Sequence, residues 1–197
     1  MAIIQDPNTA TGAKVNADGS LQVSSGGDGL STYSVQVYHP RLTGAVAVGS
    51  IMWAMRAGAR TVVVRGGQIR LGIDVTPGGQ PEVGIEIVRF SGADPTGGIG
   101  PFVATKKQTA NTTAATTAIR GATDKAGLTL AGATIDPTLA AIAHVSIPAI
   151  LGTTVAFDVE GLSGLELAPG EGLALRTNPA AAPVGLVLTG YIEFSER

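Results

Sequence analysis

Apolar and polar positions alternate with a period of two along much of this chain. Tyr33-Ser34-Val35-Gln36-Val37-Tyr38, Ile69-Arg70-Leu71-Gly72-Ile73-Asp74-Val75 and Glu82-Val83-Gly84-Ile85-Glu86-Ile87 each set aliphatic or aromatic residues on one side and polar residues or Gly on the other. Side chains of a strand point alternately to its two faces, so each run predicts a half-buried β-strand. Thr61-Val62-Val63-Val64 is β-branched throughout and predicts a central strand. Thr76-Pro77-Gly78-Gly79-Gln80-Pro81 is a turn by composition. Later runs at Thr153–Val159, Gly172–Thr177 and Val184–Phe194 complete eight or nine predicted strands. That pattern points to an all-β, jelly-roll-like antiparallel sandwich.

Two regions break the pattern. Residues 1–29 are polar and end in Ser24-Ser25-Gly26-Gly27-Asp28-Gly29, a flexible-linker composition. Within them Lys14, Val15, Leu21 and Val23 flank Asp18-Gly19 and predict a small hairpin. An isolated hairpin is marginal in water, so this one needs a sheet edge or a neighbouring subunit. The expectation is therefore an extended N-terminal arm (1–29) before a sandwich domain (30–197). The second break, at 91–135, opens with the loop Ser91–Pro101 and continues through an Ala/Thr-rich stretch, Lys106–Arg120. There Ala favours helix and Thr favours extension, which predicts a long surface excursion carrying short strand pieces. Asp136-Pro137 followed by Thr138–Ile142 predicts a capped helix of one or two turns.

Composition narrows the functional classes. With 28 Gly and 11 Pro in 197 residues, a helical bundle is excluded. Only 14% of residues are charged and the formal net charge is −2, so no phosphate-binding surface and no nucleic-acid partner are expected. No cysteine is present, which removes disulfides, thiolate metal sites and a Cys nucleophile. No apolar run reaches the ~20 residues of a membrane helix, and Met1–Asp6 lacks the character of a secretory leader.

The search for chemistry yields little. His39 precedes Pro40 as a turn residue, and His144 lies on the polar side of an alternating run, with no second ligand at metal-binding spacing. Gly161-Leu162-Ser163-Gly164 falls short of a nucleophile elbow. Gly97-Gly98-Ile99-Gly100 lacks the Lys-Ser/Thr of a phosphate loop. Asn16-Ala17-Asp18-Gly19 has too few carboxylates for Ca²⁺. The carboxylate pairs Glu82/Glu86, Asp158/Glu160 and Glu166/Glu171 invite an acid–base reading, the first two as same-face strand neighbours. Few aromatic residues are available to stack a sugar beside them, so they read as solvated polar faces. Trp53, among Ile51, Met52 and Met55, reads as core. No enzyme activity and no cofactor are expected.

Three segments carry a resemblance. Thr11–Val23, then Val88–Gly98 with its Thr/Ala-rich continuation, and finally Leu167–Leu175 with Gly190–Phe194, are together similar to structural proteins of tailed-bacteriophage virions. The resemblance implies a capsid decoration (cement) protein or a head or tail appendage. Its implied partners are other virion proteins, either the major capsid protein or tail components, and its implied assembly is a homotrimer. A 170-residue globule is about 40 Å across, and residues 1–13 at full extension reach roughly as far, enough to clasp a neighbour. The expected inter-subunit contacts are Lys14, Val15, Leu21 and Val23 in the arm, and Thr96, Lys106 and Lys107 in the excursion. The alternatives are a tail or fibre adaptor and a carbohydrate-binding receptor-recognition module holding sugar in loops at one end of the sandwich.

Overall fold

The computed structural model describes residues 3–5, 12–15, 21–23, 31–39, 47–74, 82–107, 115–123, 127–130, 134–135, 142–148, 150–178 and 185–197. The chain divides into two compact units, Met1–Leu30 with Arg197, and Ser31–Glu196.

The first unit is a three-stranded antiparallel meander of β1 (Ile3–Gln5), β2 (Gly12–Val15) and β3 (Leu21–Val23). Ala13 faces Val23 and Val15 faces Leu21 across β2 and β3, which is the hairpin read from the sequence. Ile3 pairs with Lys14 and Gln5 with Gly12, so β1 lies antiparallel along β2 and does not extend away from it. Pairing satisfies backbone groups that a lone extended strand would leave unpartnered, and it shortens the reach drawn from full extension.

The second unit is built on eight long strands: β4 (Ser31–His39), β5 (Ile51–Arg56), β6 (Val62–Ile73), β7 (Glu82–Ser91), β11 (Ala143–Pro148), β12 (Thr154–Asp158), β14 (Glu171–Thr177) and β15 (Leu186–Glu196). Four short pieces complete it: β8 (Thr105–Lys106), β9 (Ala118–Gly121), β10 (Thr134–Ile135) and β13 (Glu166–Leu167). The eight pair as nested hairpins: first with last (β4–β15), then β5–β14, β6–β12 and β7–β11. The contacts β15–β6 and β14–β7 join them into two antiparallel sheets. This is a jelly-roll sandwich. One sheet runs β10/β11–β7–β14–β5–β9 and the other β12/β13–β6–β15–β4–β8.

The alternation read from the sequence sets the core. Val35 and Val37, Ile69 and Leu71, Val83 and Ile85, Leu173 and Leu175, and Ile192 and Phe194 all turn inward between the sheets. The runs Thr61–Val64 and Ile69–Val75, separate in the sequence reading, belong to the single strand β6. They are out of phase because Arg65 is an extra residue, with Val64 facing Phe194 and Gly66 facing Glu193. Met52 is a similar bulge in β5, between Ile51 facing Arg176 and Trp53 facing Leu175. The bulge sends both Met52 and Trp53 into the main core, where both are fully buried.

The predicted helix from Asp136 falls mainly on residues 136–141, outside the described residues. The same holds for the turn at Thr76–Pro81. The chain turns in a short 3-10 helix at Val159–Leu162.

Candidate interaction surfaces

The described pieces of the excursion at 91–135 are sewn onto the sandwich at several points. Where it leaves β7, the Arg56 guanidinium donates to the Gly92 carbonyl (2.6 Å) and to Asp94 (2.7 Å). Thr96 and Thr129 form a two-way backbone bridge, as do Ile99 and Gly121. Next, β8 adds to the free edge of β4, and Lys107 N–H donates to the Thr32 carbonyl while its ammonium pairs with Glu193. On the return, β9 adds to the free edge of β5 and β10 to β7. Parts of two edges that would otherwise expose unpaired backbone, at residues 32–34 and 53–56, are thereby covered.

One buried carboxylate holds the return path. Glu196 is 2% exposed. Its oxygens accept the backbone N–H groups of Thr116 (2.8 and 3.0 Å) and Thr117 (3.0 Å) and both hydroxyls, the Thr117 one at 2.6 Å. Arg60 stands 3.7 Å away as the nearest cation. Charge-assisted bonds of this kind are about twice as strong as neutral ones, so a single side chain fixes the loop to the last strand.

Beyond the anchor, the excursion forms a second core. Ile51, Ala54, Val88, Phe90 and Ala174 lie on the outer face of the first sheet, and Ala122 and Leu128 roof them, with Leu130 and Ile135 alongside. Phe90 sits over Gly172, where any Cβ would come within 2.4 Å of its ring. The predicted surface excursion is thus partly internal: Ile119 and Ala122 are fully buried. The reason is that β7 and β14 carry apolar residues on both faces at this end, and the outer ones need cover.

Of the expected contacts, Thr96 is exposed and its hydroxyl donates to the Thr129 carbonyl at 3.3 Å. Lys106 is exposed, and Lys107 is ion-paired as above. Between them Ile99 and Val103 point into solvent, Val103 at 87% exposure. Lys14 and Val15 lie on β2 and Leu21 and Val23 on β3, all four in the meander of the first unit.

Each carboxylate pair has at least one member with scaffold contacts. Glu86 is nearly buried, takes Arg176 Nε and Nη2 at 2.9 and 2.8 Å, and accepts from the Asn178 amide, whereas Glu82 is exposed. Glu171 receives Arg89 (3.0 Å) and the Ala168 N–H (2.8 Å), while Glu166 sits on β13. Asp158 and Glu160 do not share a strand face as the sequence predicts, because β12 ends at Asp158 and Glu160 lies in the 3-10 helix.

His144 is exposed, with Nε2 3.3 Å from the Asn178 carbonyl, and His39 closes β4. Ser163 donates to the Arg65 carbonyl at 3.2 Å, as a turn residue does. Asn16–Gly19 lies outside the described residues. Among the described residues, no three His, Asp or Glu side chains converge as a metal set. The sequence reading missed the Glu196 clamp and the Glu86–Arg176–Asn178 cluster. Their members are about 80 and 90 residues apart in sequence, and no local motif marks them.

No protein family, no curated protein and no solved structure matches this chain.

Proposed function

We propose that the protein is a non-enzymatic structural component of a bacteriophage virion, a homotrimeric decoration protein that cements the capsid through subunit contacts. The observation that carries this reading is the separate N-terminal unit, whose strands are only three or four residues long. A meander that small cannot bury a core of its own and gains stability by docking onto a larger surface. The anchored excursion supports the same reading, since it displays Thr96, Ile99, Val103 and Lys106 on a backbone tied down at both ends. Loops held in this way bind with little loss of conformational entropy.

The test is immunogold labelling of purified virions with antibody against residues 1–29, together with light scattering on the isolated protein. Label over the head and a trimeric mass are expected. Label confined to the tail would move the protein to a tail or fibre adaptor, and unlabelled virions would remove the structural role. Deleting residues 1–29 should leave the Ser31–Glu196 sandwich folded and abolish its incorporation into the particle.

A further inference from the structure

Among the described residues, nothing roofs the outer face of the second sheet as Ala122 and Leu128 roof the first, and its side chains have a chemistry of their own. Tyr191 stands at its centre, 45% exposed. It lies between Gln68 on one neighbouring strand and Gln36 on the other. Tyr38 occupies the diagonal position, facing Thr189. Arg70 Nε donates to Gln68 Oε1 (3.2 Å), and Gln68 Nε2 donates to Asp158 Oδ1 (3.1 Å). This relay fixes the Gln68 amide in one orientation. Among the described residues, neither the Tyr191 nor the Gln36 side chain has a hydrogen-bond partner, so both side chains are open to a ligand. Beside them lies a hollow of about 330 Å³ reaching from Arg70 to Thr154 and Thr189, with Gly72 at its floor. A side chain at Gly72 would begin 3.3 Å from Thr154 Oγ1 and fill it.

We propose that this face is a binding site for a neutral oligosaccharide, with Tyr191 as its stacking platform and Gln36, Gln68 and Arg70 as hydroxyl partners. A pyranose has an apolar C–H face and a rim of hydroxyls, each both donor and acceptor. The first suits an exposed phenol ring, and the second suits planar amides and a guanidinium, which together supply both kinds of partner. Adjacent strands lie about 4.8 Å apart, so the row Asp158–Gln68–Tyr191–Gln36 extends over roughly 14 Å. That is room for a short glycan lying across the strands. Arg70 is offset by Asp158 beside Gln68 and by Asp74 on the lining of the hollow, which suits neither nucleic acid nor an acidic polymer. The site lies on the sheet rather than in the loops at one end, and it stands independently of the protein's place in a virion.

The full-length ¹⁵N-labelled protein titrated with maltohexaose, cellohexaose, chitohexaose and xylohexaose tests this. At least one should give saturable shifts centred on Gln36, Gln68, Arg70 and Tyr191. Tyr191→Ala should weaken that binding about tenfold, while Tyr191→Phe keeps it within about twofold. Gly72→Val, which closes the hollow, and Gln36→Ala should each weaken it in a protein whose remaining spectrum is unchanged. No saturable shift with any of the four sugars, shifts confined to the end loops, or unaltered binding by both Tyr191→Ala and Gln36→Ala would overturn the proposal. Tighter binding of heparin than of the neutral sugars at the same residues would overturn it too.

Discussion

The two outer faces of this sandwich are built from the same kind of strand and have opposite fates. On the first sheet, Val88, Phe90, Ala54 and Ala174 face outward and are sealed under Ala122 and Leu128. On the second, Gln36, Gln68, Arg70 and Tyr191 occupy the equivalent positions and stay open. Both inner faces feed one core, so the difference lies wholly in the residues of the other parity. It shows what the excursion is for. A sheet that is apolar on both sides needs a third layer, and Ala122, Leu128, Leu130 and Ile135 supply it, whereas a sheet with a polar outer side leaves that side free for solvent or ligand.

If the roof is a true core, opening it should be the costliest change on either outer face. Phe90→Ala removes an aromatic ring from a site where Leu128 and the backbone at Gly172 cannot close the gap, and about 3–4 kcal/mol of unfolding free energy should be lost by urea titration. A loss below about 1 kcal/mol would mean that the roof only rests on the sheet. Next comes the clamp. Glu196→Gln keeps the shape of the side chain but turns one acceptor into a donor facing the Thr116 and Thr117 N–H groups. A cost of about 2 kcal/mol is expected. Hydrogen exchange should then rise at Thr116–Gly121 while Val35, Ile69 and Ile192 keep their protection. Uniform loss of protection would show that clamp and sandwich unfold as one unit.

What the sequence made legible follows from the same contrast. Strands with one buried face, such as Tyr33–Tyr38 and Glu82–Ile87, advertise themselves by alternation, and the Asp18-Gly19 hairpin by its turn residues. The strand Ile51–Arg56 does not, because it is buried on both faces and the Met52 bulge breaks its phase. Arg65 breaks β6 in the same way and splits one strand into two apparent runs. The roof escapes detection because Ala122, Leu128, Leu130 and Ile135 follow no regular period. Their partners are strands far away in the chain. The clamp is still less visible, since a glutamate next to the last residue has no local reason to be buried. As for function, alternation marks Gln36, Gln68 and Arg70 only as polar positions of separate strands, and only the pairing register puts Tyr191 between two glutamines.

Away from the roof, the outer face of the first sheet carries the Glu86–Arg176–Asn178 cluster, which places a third environment between the two extremes. Arg176 keeps 31% of its side-chain surface in water, so the pair is partly screened. Glu86→Gln should cost about 1 kcal/mol, less than the clamp, and should leave exchange at Thr116–Gly121 untouched. A loss as large as that of Phe90→Ala would mean that the cluster, and not the roof, holds the first sheet to its neighbours.

The smallest effect on stability belongs to the open face, and there the comparison becomes sharpest. Gln36→Ala removes an exposed side chain with no hydrogen-bond partner among the described residues, and unfolding free energy should move by no more than about 0.5 kcal/mol. A scaffold residue reports its role in stability, whereas a recognition residue is silent there and speaks only in binding. A measurable loss of stability in Gln36→Ala would put this face in the same class as the roofed one. Unchanged stability with weakened sugar binding separates the two: one outer face serves folding, and the other is kept free of that duty.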